Sequence, residues 1–275
     1  MVARAPKPHL RPFVQVLWAS DGTAAEGHPA SEREYMLPTG AMHLVFCLGR
    51  PLRLYDDLHD PTGHTVGHAL VGGARSTFYV RDVSRPSRSV GAQFQPGAAE
   101  LLLGVPASAL SGRHTRLEDL WGRVALDYRE QLLEARSPEV ALDRFESLLT
   151  ARLAQGRALH PCVAGALELF ADTADVRAVV DASGYSHRRF IALFREAVGL
   201  TPKVFCRIQR FQRALAWVAS APDASWADLA LRAGYADQAH FNRDFREFSG
   251  ISPGIYRELA PVSRQHVPIP RTSSR

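Results

Sequence analysis

Amide and guanidinium side chains recur at helical spacing near the end of the chain. In the segment QAHFNRDFREFS, Gln238 and Asn242 lie four residues apart, and Arg243 and Arg246 follow. Residues three or four apart share one side of a helix, so these groups would form a polar face opposite the phenylalanines. Gln and Asn can bond an adenine edge at two atoms, and Arg can do the same with guanine. The chemistry open to this face is hydrogen bonding to base edges.

Two helices and a glycine turn are needed to present that face. Ser225 and Asp228 form a capping box that opens a first helix, and Gly234 ends it where a positive φ favours glycine. Asp237 is a suitable N-cap for the second helix. Helix, turn and helix is the helix-turn-helix of DNA-binding proteins, whose second helix enters the major groove. For one isolated copy, a solvated helix in an ordinary bundle is the alternative.

The same design occurs fifty residues earlier in the chain. SGYSHRRFIALFREAVGLTPKVFCR (183–207) matches AGYADQAHFNRDFREFSGISPGIYR (233–257) in its Gly-Tyr, Phe-Arg-Glu and Gly-x-[Thr/Ser]-Pro elements. Residues 202–219 contain neither glycine nor internal proline, which predicts one long helix between the copies. Two recognition helices on one face of a duplex would read neighbouring major-groove segments about 34 Å apart.

The outward face of the first copy is less polar at its centre. Arg188 and Arg195 flank Ile191 and Ala192, which offer no hydrogen bond to a base. We expect the first copy to read bases more weakly, or through the shape of the DNA.

This arrangement resembles the AraC/XylS family of bacterial transcription regulators. Residues 233–257 are similar to the family signature, RIQRFQRAL is similar to its linker helix, and the resemblance covers roughly 160–260. It implies specific binding of double-stranded DNA and control of transcription, usually activation, with RNA polymerase as a partner. The positions that it implies to face bases are Arg188, Ile191, Ala192, Gln238, Ala239, Asn242 and Arg243. We predict that Arg195 and Arg246 contact phosphate.

The N-terminal part has a different pattern. Short apolar or alternating runs such as FVQVLWAS and HLVFCLG, separated by Gly, Pro and Asp, predict a small sheet or barrel up to about residue 96 and helices afterwards. MLPTGAMHLVFCLG, GAQFQPGAAELLLGVPASAL and LEDLWG resemble the sensor half of one subgroup of these regulators, over about residues 10–125. That resemblance implies a β-rich, cupin-like fold and names no ligand.

We therefore predict a two-domain protein with an α+β N-terminal domain and an all-α C-terminal domain of two helix-turn-helix motifs joined by a long helix. The predicted ranges are 1–156 for sensing and dimerisation, 157–260 for DNA binding, and 261–275 for a disordered basic tail. A small-molecule effector and a homodimer are expected partners from the resemblance. The N-terminal sheet would hold an apolar effector pocket, although the same side chains would also make an ordinary core. The candidate lining residues are Leu44, Phe46, Leu70, Phe78 and Phe94.

Charge is distributed unevenly along the chain. The net charge is +5 overall, but it is −2 over residues 1–175, +4 over 176–260 and +3 over 261–275. A basic C-terminal part favours an acidic polymer as partner, with a merely solvated surface as the alternative. No apolar run has the length of a membrane helix or a signal peptide, so we expect a cytoplasmic protein.

Two other classes of protein are alternatives to a DNA-binding regulator. A metal-binding cupin-like enzyme would need convergent ligands, whereas the histidines at 43, 59, 64 and 68 and Glu34 are scattered and include no H-x-H pair. No G-x-S-x-G stretch or phosphate-binding loop is present. We expect no enzymatic activity, no cofactor and no metal. The remaining alternative is an interaction protein whose basic helical domain binds something other than DNA.

Overall fold

The computed structural model describes residues 1–22, 32–153, 158–221 and 223–269. Within them a two-sheet N-terminal half precedes a helical C-terminal half, which confirms the predicted fold class. The strands are β1 (Val2–Arg4), β2 (Val14–Asp21), β3 (Arg33–Met36), β4 (His43–Cys47), β5 (Leu52–Tyr55), β6 (His64–Gly67), β7 (Ala69–Gly72), β8 (Tyr79–Asp82), β9 (Arg88–Phe94), β10 (His114–Arg116) and β11 (His266–Pro268). The helices are α1 (Ala99–Leu103), α2 (Ala107–Leu110), α3 (Glu118–Trp121), α4 (Arg123–Leu133), α5 (Pro138–Arg152), α6 (Pro161–Asp172), α7 (Val176–Ser183), α8 (His187–Val198), α9 (Pro202–Ser220), α10 (Trp226–Ala233), α11 (Gln238–Ser249) and α12 (Pro253–Leu259).

Two antiparallel sheets make up the N-terminal half. The first has the order β1-β2-β9-β4-β7-β10, and the second has the order β11-β3-β8-β5-β6. Successive side chains of a strand point to opposite faces, so Leu44 and Phe46 of β4 share one face while Val45 lies on the other. Phe46 meets Phe145 of α5 edge to face, with ring centroids 5.8 Å apart. The first sheet therefore has α5 on its outer face and the second sheet across a cavity on its inner face.

Two short strands depart from the predicted order of strands first and helices afterwards. β10 follows α2 and pairs with β7, with Thr115 opposite Val71. β11 lies beyond all the helices and pairs with β3, with Val267 opposite Tyr35. Each has three residues, too few for an alternating pattern, and each forms because a sheet edge offers it hydrogen bonds.

The predicted disordered tail is therefore wrong for part of its length. Residues 261–269 run back to the second sheet of the N-terminal half, and Val267 is fully buried there. Residues 270–275 lie outside the described ranges, and so does the predicted domain boundary at 156 and 157. The boundary stays a prediction.

The long helix between the two motifs is confirmed. α9 spans Pro202–Ser220, begins at the N-cap Thr201 and contains no glycine. Its apolar stripe is buried against both motifs, which fixes the motifs on one rod. The stripe comprises Phe205, Ile208, Phe211, Leu215 and Val218. Among the described residues, no helix combines the length and apolar character needed to cross a membrane.

Candidate nucleic-acid interface

Local capping positions the first helix-turn-helix. The Asp175 carboxylate accepts hydrogen bonds from the backbone N–H groups of Arg177 and Ala178, which begins α7. Gly184 ends that helix with a left-handed φ of 71°, and Ser186 caps α8 through the N–H of Arg189. These are the predicted turn and N-cap, and they set the angle at which α8 leaves the turn.

The second motif repeats this geometry. Ser225 Oγ accepts from the N–H of Asp228 at 3.1 Å and donates to its carboxylate at 2.7 Å, so the N-cap half of the predicted capping box is present, while the Asp228 carboxylate bonds the Ser225 hydroxyl instead of its backbone N–H. Gly234 has a φ of 89°, and Asp237 caps α11 through the N–H of His240 at 2.7 Å. The short sequence signals therefore fold as expected at both recognition helices.

The two recognition helices are held on α9 by different contacts. α8 is fixed by aromatic packing, because the ring of Phe194 lies 5.6 Å from those of both Phe170 and Phe205. α11 adds an ionic clamp in which Arg207 donates to Asp244 at 2.8 Å and to Glu247 at 2.6 Å. Asp244 is only 3% exposed, so this charge pair is largely withdrawn from water.

The predicted DNA-contacting side chains lie on the outward faces of α8 and α11. Two are partly covered: Ile191 packs against the core, and Asn242 has intermediate exposure. The exposed ones are Arg188, Ala192, Arg195, Gln238, Ala239, Arg243 and Arg246. Most of these side chains are therefore open to solvent. The role of each residue stays a prediction.

Sequence reasoning missed a charged cleft between the two motifs, lined by four lysine or arginine side chains and three carboxylates. This cleft, about 620 Å³ in volume, is lined by the start of α7, by α9 and by α11, and it includes Arg243. Arg210 donates to the carbonyl of Gly234 there, whereas Lys203 is exposed and has no ion-pair partner among the described residues. Lys203 and Arg210 lie seven residues apart, opposite the apolar stripe of α9, and this spacing could have indicated them.

Both α8 and α11 end close to one loop of the N-terminal half. The loop, residues 73–78, joins β7 to β8. A Cβ at Gly199, which ends α8, would lie 3.3 Å from the Cβ of Ala74, and one at Gly250, which ends α11, would lie 2.6 Å from the ring of Phe78. Ser111 Oγ donates to the carbonyls of Ala74 and Gly199, at 3.2 and 2.6 Å. Loop 73–78 therefore touches the end of each motif.

A cavity of about 710 Å³ lies between the two sheets, but most of the predicted pocket residues do not line it. Leu70 does. Leu44, Phe46 and Phe94 are fully buried in the core, and Phe78 packs on Gly250 and on the ring of Tyr35. The apolar runs correctly predicted buried strands, yet their largest side chains face the helices. The residues that alternate with them along each strand line the cavity instead.

The returning strand β11 forms part of the cavity wall. Arg81 of β8 donates to Glu34, and its Nη2 lies 3.2 Å from His266 Nδ1, which itself faces the Glu34 carboxylate at 3.4 Å. Burial raises the pKa of the Glu34 carboxyl, but Arg81 and His266 outweigh it and hold that pKa at about 2. Gln265, the residue that precedes β11, donates to Gln212 of α9 at 3.0 Å, so the chain entering this strand touches the linker helix. The chain beyond α12 thus joins the helical C-terminal half to the second sheet of the N-terminal half.

The histidines considered as metal ligands do not converge. His68 Nδ1 lies 3.2 Å from the carbonyl oxygen of Cys47, His64 faces Asp56 at 3.7 Å, and His59 is exposed. Across the described ranges, no three His, Cys, Asp or Glu side chains form a group suited to a metal ion.

Comparison with known proteins matches the two halves separately. Residues 179–259 match the helix-turn-helix domain family, and residues 3–116 match a domain of unknown function (DUF6597). The chain is 30% identical over 87 residues to the HTH-type transcriptional regulator MtrA of Neisseria gonorrhoeae, covering 32% of this chain and 29% of that protein. It is 33% identical over 73 residues to an uncharacterized HTH-type transcriptional regulator of Haemophilus influenzae, covering 26% and 24%. The chain thus spans under a third of the length of these curated relatives. Both are named as transcriptional regulators.

One solved structure is similar over nearly its whole length. ToxT from Vibrio cholerae aligns with 90% of this chain and 98% of its own, at 9% identity and a TM-score of 0.47. A likeness of this degree carries no conclusion about function or ligand.

Proposed function

Since this chain belongs to the AraC family of transcription regulators through its C-terminal helix-turn-helix domain, we propose that the whole protein binds specific double-stranded DNA sites and regulates transcription in response to a small molecule. The single observation that supports this best is the duplication. Two helix-turn-helix motifs on one helix, α9, each turn an exposed face outward. A duplex offers two neighbouring major-groove segments to such a pair.

In this proposal α11 supplies most of the direct base readout. Gln238, Asn242 and Arg243 contact base edges, because amides and guanidinium groups make paired hydrogen bonds with adenine and guanine. Arg246 contacts phosphate and contributes salt-dependent, sequence-independent affinity.

The first motif has a different role. Arg188 contacts a base edge and Arg195 a phosphate, while Ile191 and Ala192 pack against the groove floor, where an apolar group can meet a thymine methyl. Sequence preference at this half-site depends more on DNA shape than on hydrogen bonds.

The sensor half regulates these motifs through contacts that already exist in the fold. Loop 73–78 borders the cavity and meets the ends of α8 and α11, and β11 ties α9 to the cavity wall. An effector that binds differently to two arrangements of the loop would bias the two motifs. RNA polymerase and a second copy of the chain are further partners implied by the family.

Selection of bound sequences from a random duplex library, with the full chain at fixed salt, tests the proposal. We expect a bipartite motif whose half-sites lie about one helical turn apart, 10–10.5 base pairs centre to centre. The control is Arg123→Ala, an exposed arginine of α4 in the sensor half, which should select the same motif. Failure to enrich any sequence would refute specific DNA binding.

A further inference from the structure

A row of polar side chains crosses the inner face of the first sheet. The strand register places Gln93 of β9 opposite His43 of β4, His43 opposite Gly72 of β7, and Gly72 opposite His114 of β10. All four positions line the cavity. Gly72 has no side chain, and a Cβ there would lie 3.6 Å from the His114 ring and 4.0 Å from the His43 Cβ. The glycine therefore leaves open space between the two imidazoles.

Both imidazoles are neutral at physiological pH. Burial, together with the nearby Arg75 guanidinium, lowers the pKa of His43 to about 4 and that of His114 to about 3. Arg75 Nη2 lies 3.1 Å from His114 Nδ1, and a guanidinium only donates, so Nδ1 accepts and the ring proton lies on Nε2. His114 is thus set as a neutral hydrogen-bond donor.

Two arginines of the inner wall differ in how their charge is balanced. Arg81 is paired with the buried carboxylate of Glu34. Arg75 stacks over Tyr79 at 4.3 Å and bonds His114, but it has no acidic partner among the described residues. A guanidinium stays protonated inside a protein, and a charge withdrawn from water without a counter-ion is costly. An anion bound beside Arg75 would supply the counter-charge that this guanidinium lacks.

The rest of the cavity suits an anion with an apolar body. Its described lining has one acidic residue, Asp82. Apolar side chains, among them Trp18, Val45 and Leu70, cover the floor near the polar row. The lining arginines are Arg50, Arg53, Arg75, Arg81, Arg85 and Arg88.

We propose that the cavity binds a small organic anion with an apolar body, whose carboxylate pairs with Arg75 and accepts a hydrogen bond from His114. This inference deepens, and rests on, the proposed ligand-responsive function. Arg75 lies in loop 73–78, between Ala74, which borders Gly199 of the first motif, and Phe78, which packs on Gly250 of the second. A ligand that pulls on Arg75 therefore acts on a loop that touches both motifs.

The test uses two fluorescent probes of nearly the same shape on the full chain. The anionic probe is 8-anilino-1-naphthalenesulfonate, and the neutral probe is N-phenyl-1-naphthylamine, which lacks the sulfonate. Wild type should bind the anion more tightly, and Arg75→Met should weaken anion binding about tenfold or more while leaving the neutral probe unchanged, because a charge-assisted hydrogen bond is lost. Unlabelled 2-naphthoate should displace the anionic probe, and 2-naphthamide should not.

Matched variants separate this site from a general effect on the fold. Arg75→Lys should keep part of the preference for the anion, and Arg50→Met, which removes an exposed lining arginine, should keep all of it. Gly72→Leu should abolish binding of both probes, because its side chain fills the space between His43 and His114 without changing the charge. Melting temperatures identify any variant that fails to fold.

The results that overturn the inference are specific. They are the absence of probe binding by wild type, equal loss of both probes in Arg75→Met, or displacement by the amide as strong as by the acid. Duplex binding by the same variants is measured in parallel without probe. If Arg75→Met binds duplex normally and the preference for the anion is absent, this inference alone fails. If the preference is present and no duplex binds, the proposed DNA function fails while the cavity assignment stands.

Discussion

The two helix-turn-helix motifs share a frame but differ in what they turn outward and in how they are held. Aligned at a spacing of 51 residues, Phe190 matches Phe241, Phe194 matches Phe245, and Gly199 matches Gly250. Four of these are fully buried phenylalanines, and both glycines adopt a left-handed φ beside the sensor half. The frame is thus repeated where packing and backbone conformation demand it.

Three consecutive positions on the recognition helices carry the difference. Ile191, Ala192 and Leu193 of the first motif correspond to Asn242, Arg243 and Asp244 of the second. Two of these changes alter the outward face from apolar to hydrogen-bonding. The third replaces a buried leucine with a buried carboxylate that clamps Arg207. The two motifs therefore share a fold, while the second has a more polar outward face and an ionic anchor that the first lacks.

Removing that anchor should have the largest effect. Asp244→Ala leaves Arg207 without its buried partner, and we expect the free energy of unfolding to fall by about 3 kcal/mol. Denaturant unfolding of the full chain measures it. Glu247→Gln, at the exposed end of the clamp, should cost less than about 1 kcal/mol.

A double variant tests whether the loss of stability in Asp244→Ala comes from the Arg207 charge, which then keeps only its exposed partner, Glu247. Arg207→Met combined with Asp244→Leu gives the second motif the leucine that the first already has, and it should be more stable than Asp244→Ala alone. If the double variant is less stable, the clamp does more than neutralise a buried charge, and this part of the comparison is wrong.

The outward faces are compared by making the second motif resemble the first. Arg243→Ala places at that position the residue that the first motif has at 192. Affinity for the selected duplex should fall by about 1–3 kcal/mol, with relaxed preference at one base pair. Ile191→Ala, at an outward position of the first motif, should change discrimination by less than about 1 kcal/mol, because no hydrogen bond is lost. If the sequence preference of Arg243→Ala is unchanged, Arg243 does not read a base.

Alanine substitutions at four glycines distinguish two causes of lost stability: backbone strain, and a clash with the N-terminal half. Gly184 and Gly234 have a left-handed φ, with nothing closer than 3.9 Å to an added Cβ, so alanine at either should cost about 1 kcal/mol from strain alone. Gly250→Ala should cost at least about 1 kcal/mol more, since its Cβ would lie 2.6 Å from the Phe78 ring.

Gly199→Ala should fall between these values, because its closest neighbours are 3.2 and 3.3 Å away. Thermal unfolding of the four variants gives the ranking. Equal costs at all four positions would mean that neither recognition helix depends on its contact with the sensor half.

The smallest effect concerns an arginine that both motifs share. Arg246→Ala should weaken binding to every sequence alike and lower the slope of log affinity against log salt by about 1. Arg195→Ala, its equivalent in the first motif, should do the same. Duplex titrations at several salt concentrations measure the slope. A change confined to one base pair would assign the arginine to base readout.

The helical C-terminal half could be predicted from local sequence patterns. Caps, turn glycines and apolar stripes act within one or two turns of helix, so Ser225, Gly234 and the stripe of α9 could be interpreted from spacing alone. The apolar runs of the N-terminal half likewise predicted buried strands, β4 and β9 among them. These features are local, and no distant residue is needed to produce them.

What those strands enclose depends on contacts between elements that lie far apart in the chain. Period-two alternation indicates that one face of β4 is buried, but it does not show which face meets the helices and which meets the cavity. The prediction that Leu44 and Phe46 line the pocket therefore places them on the wrong face of the strand. The return of β11 to the sensor sheet, the row formed by His43 and His114, and the position of Arg75 between the two motifs all join residues far apart in the chain. Such contacts depend on strand register and on the packing of whole elements, which no short window of sequence contains.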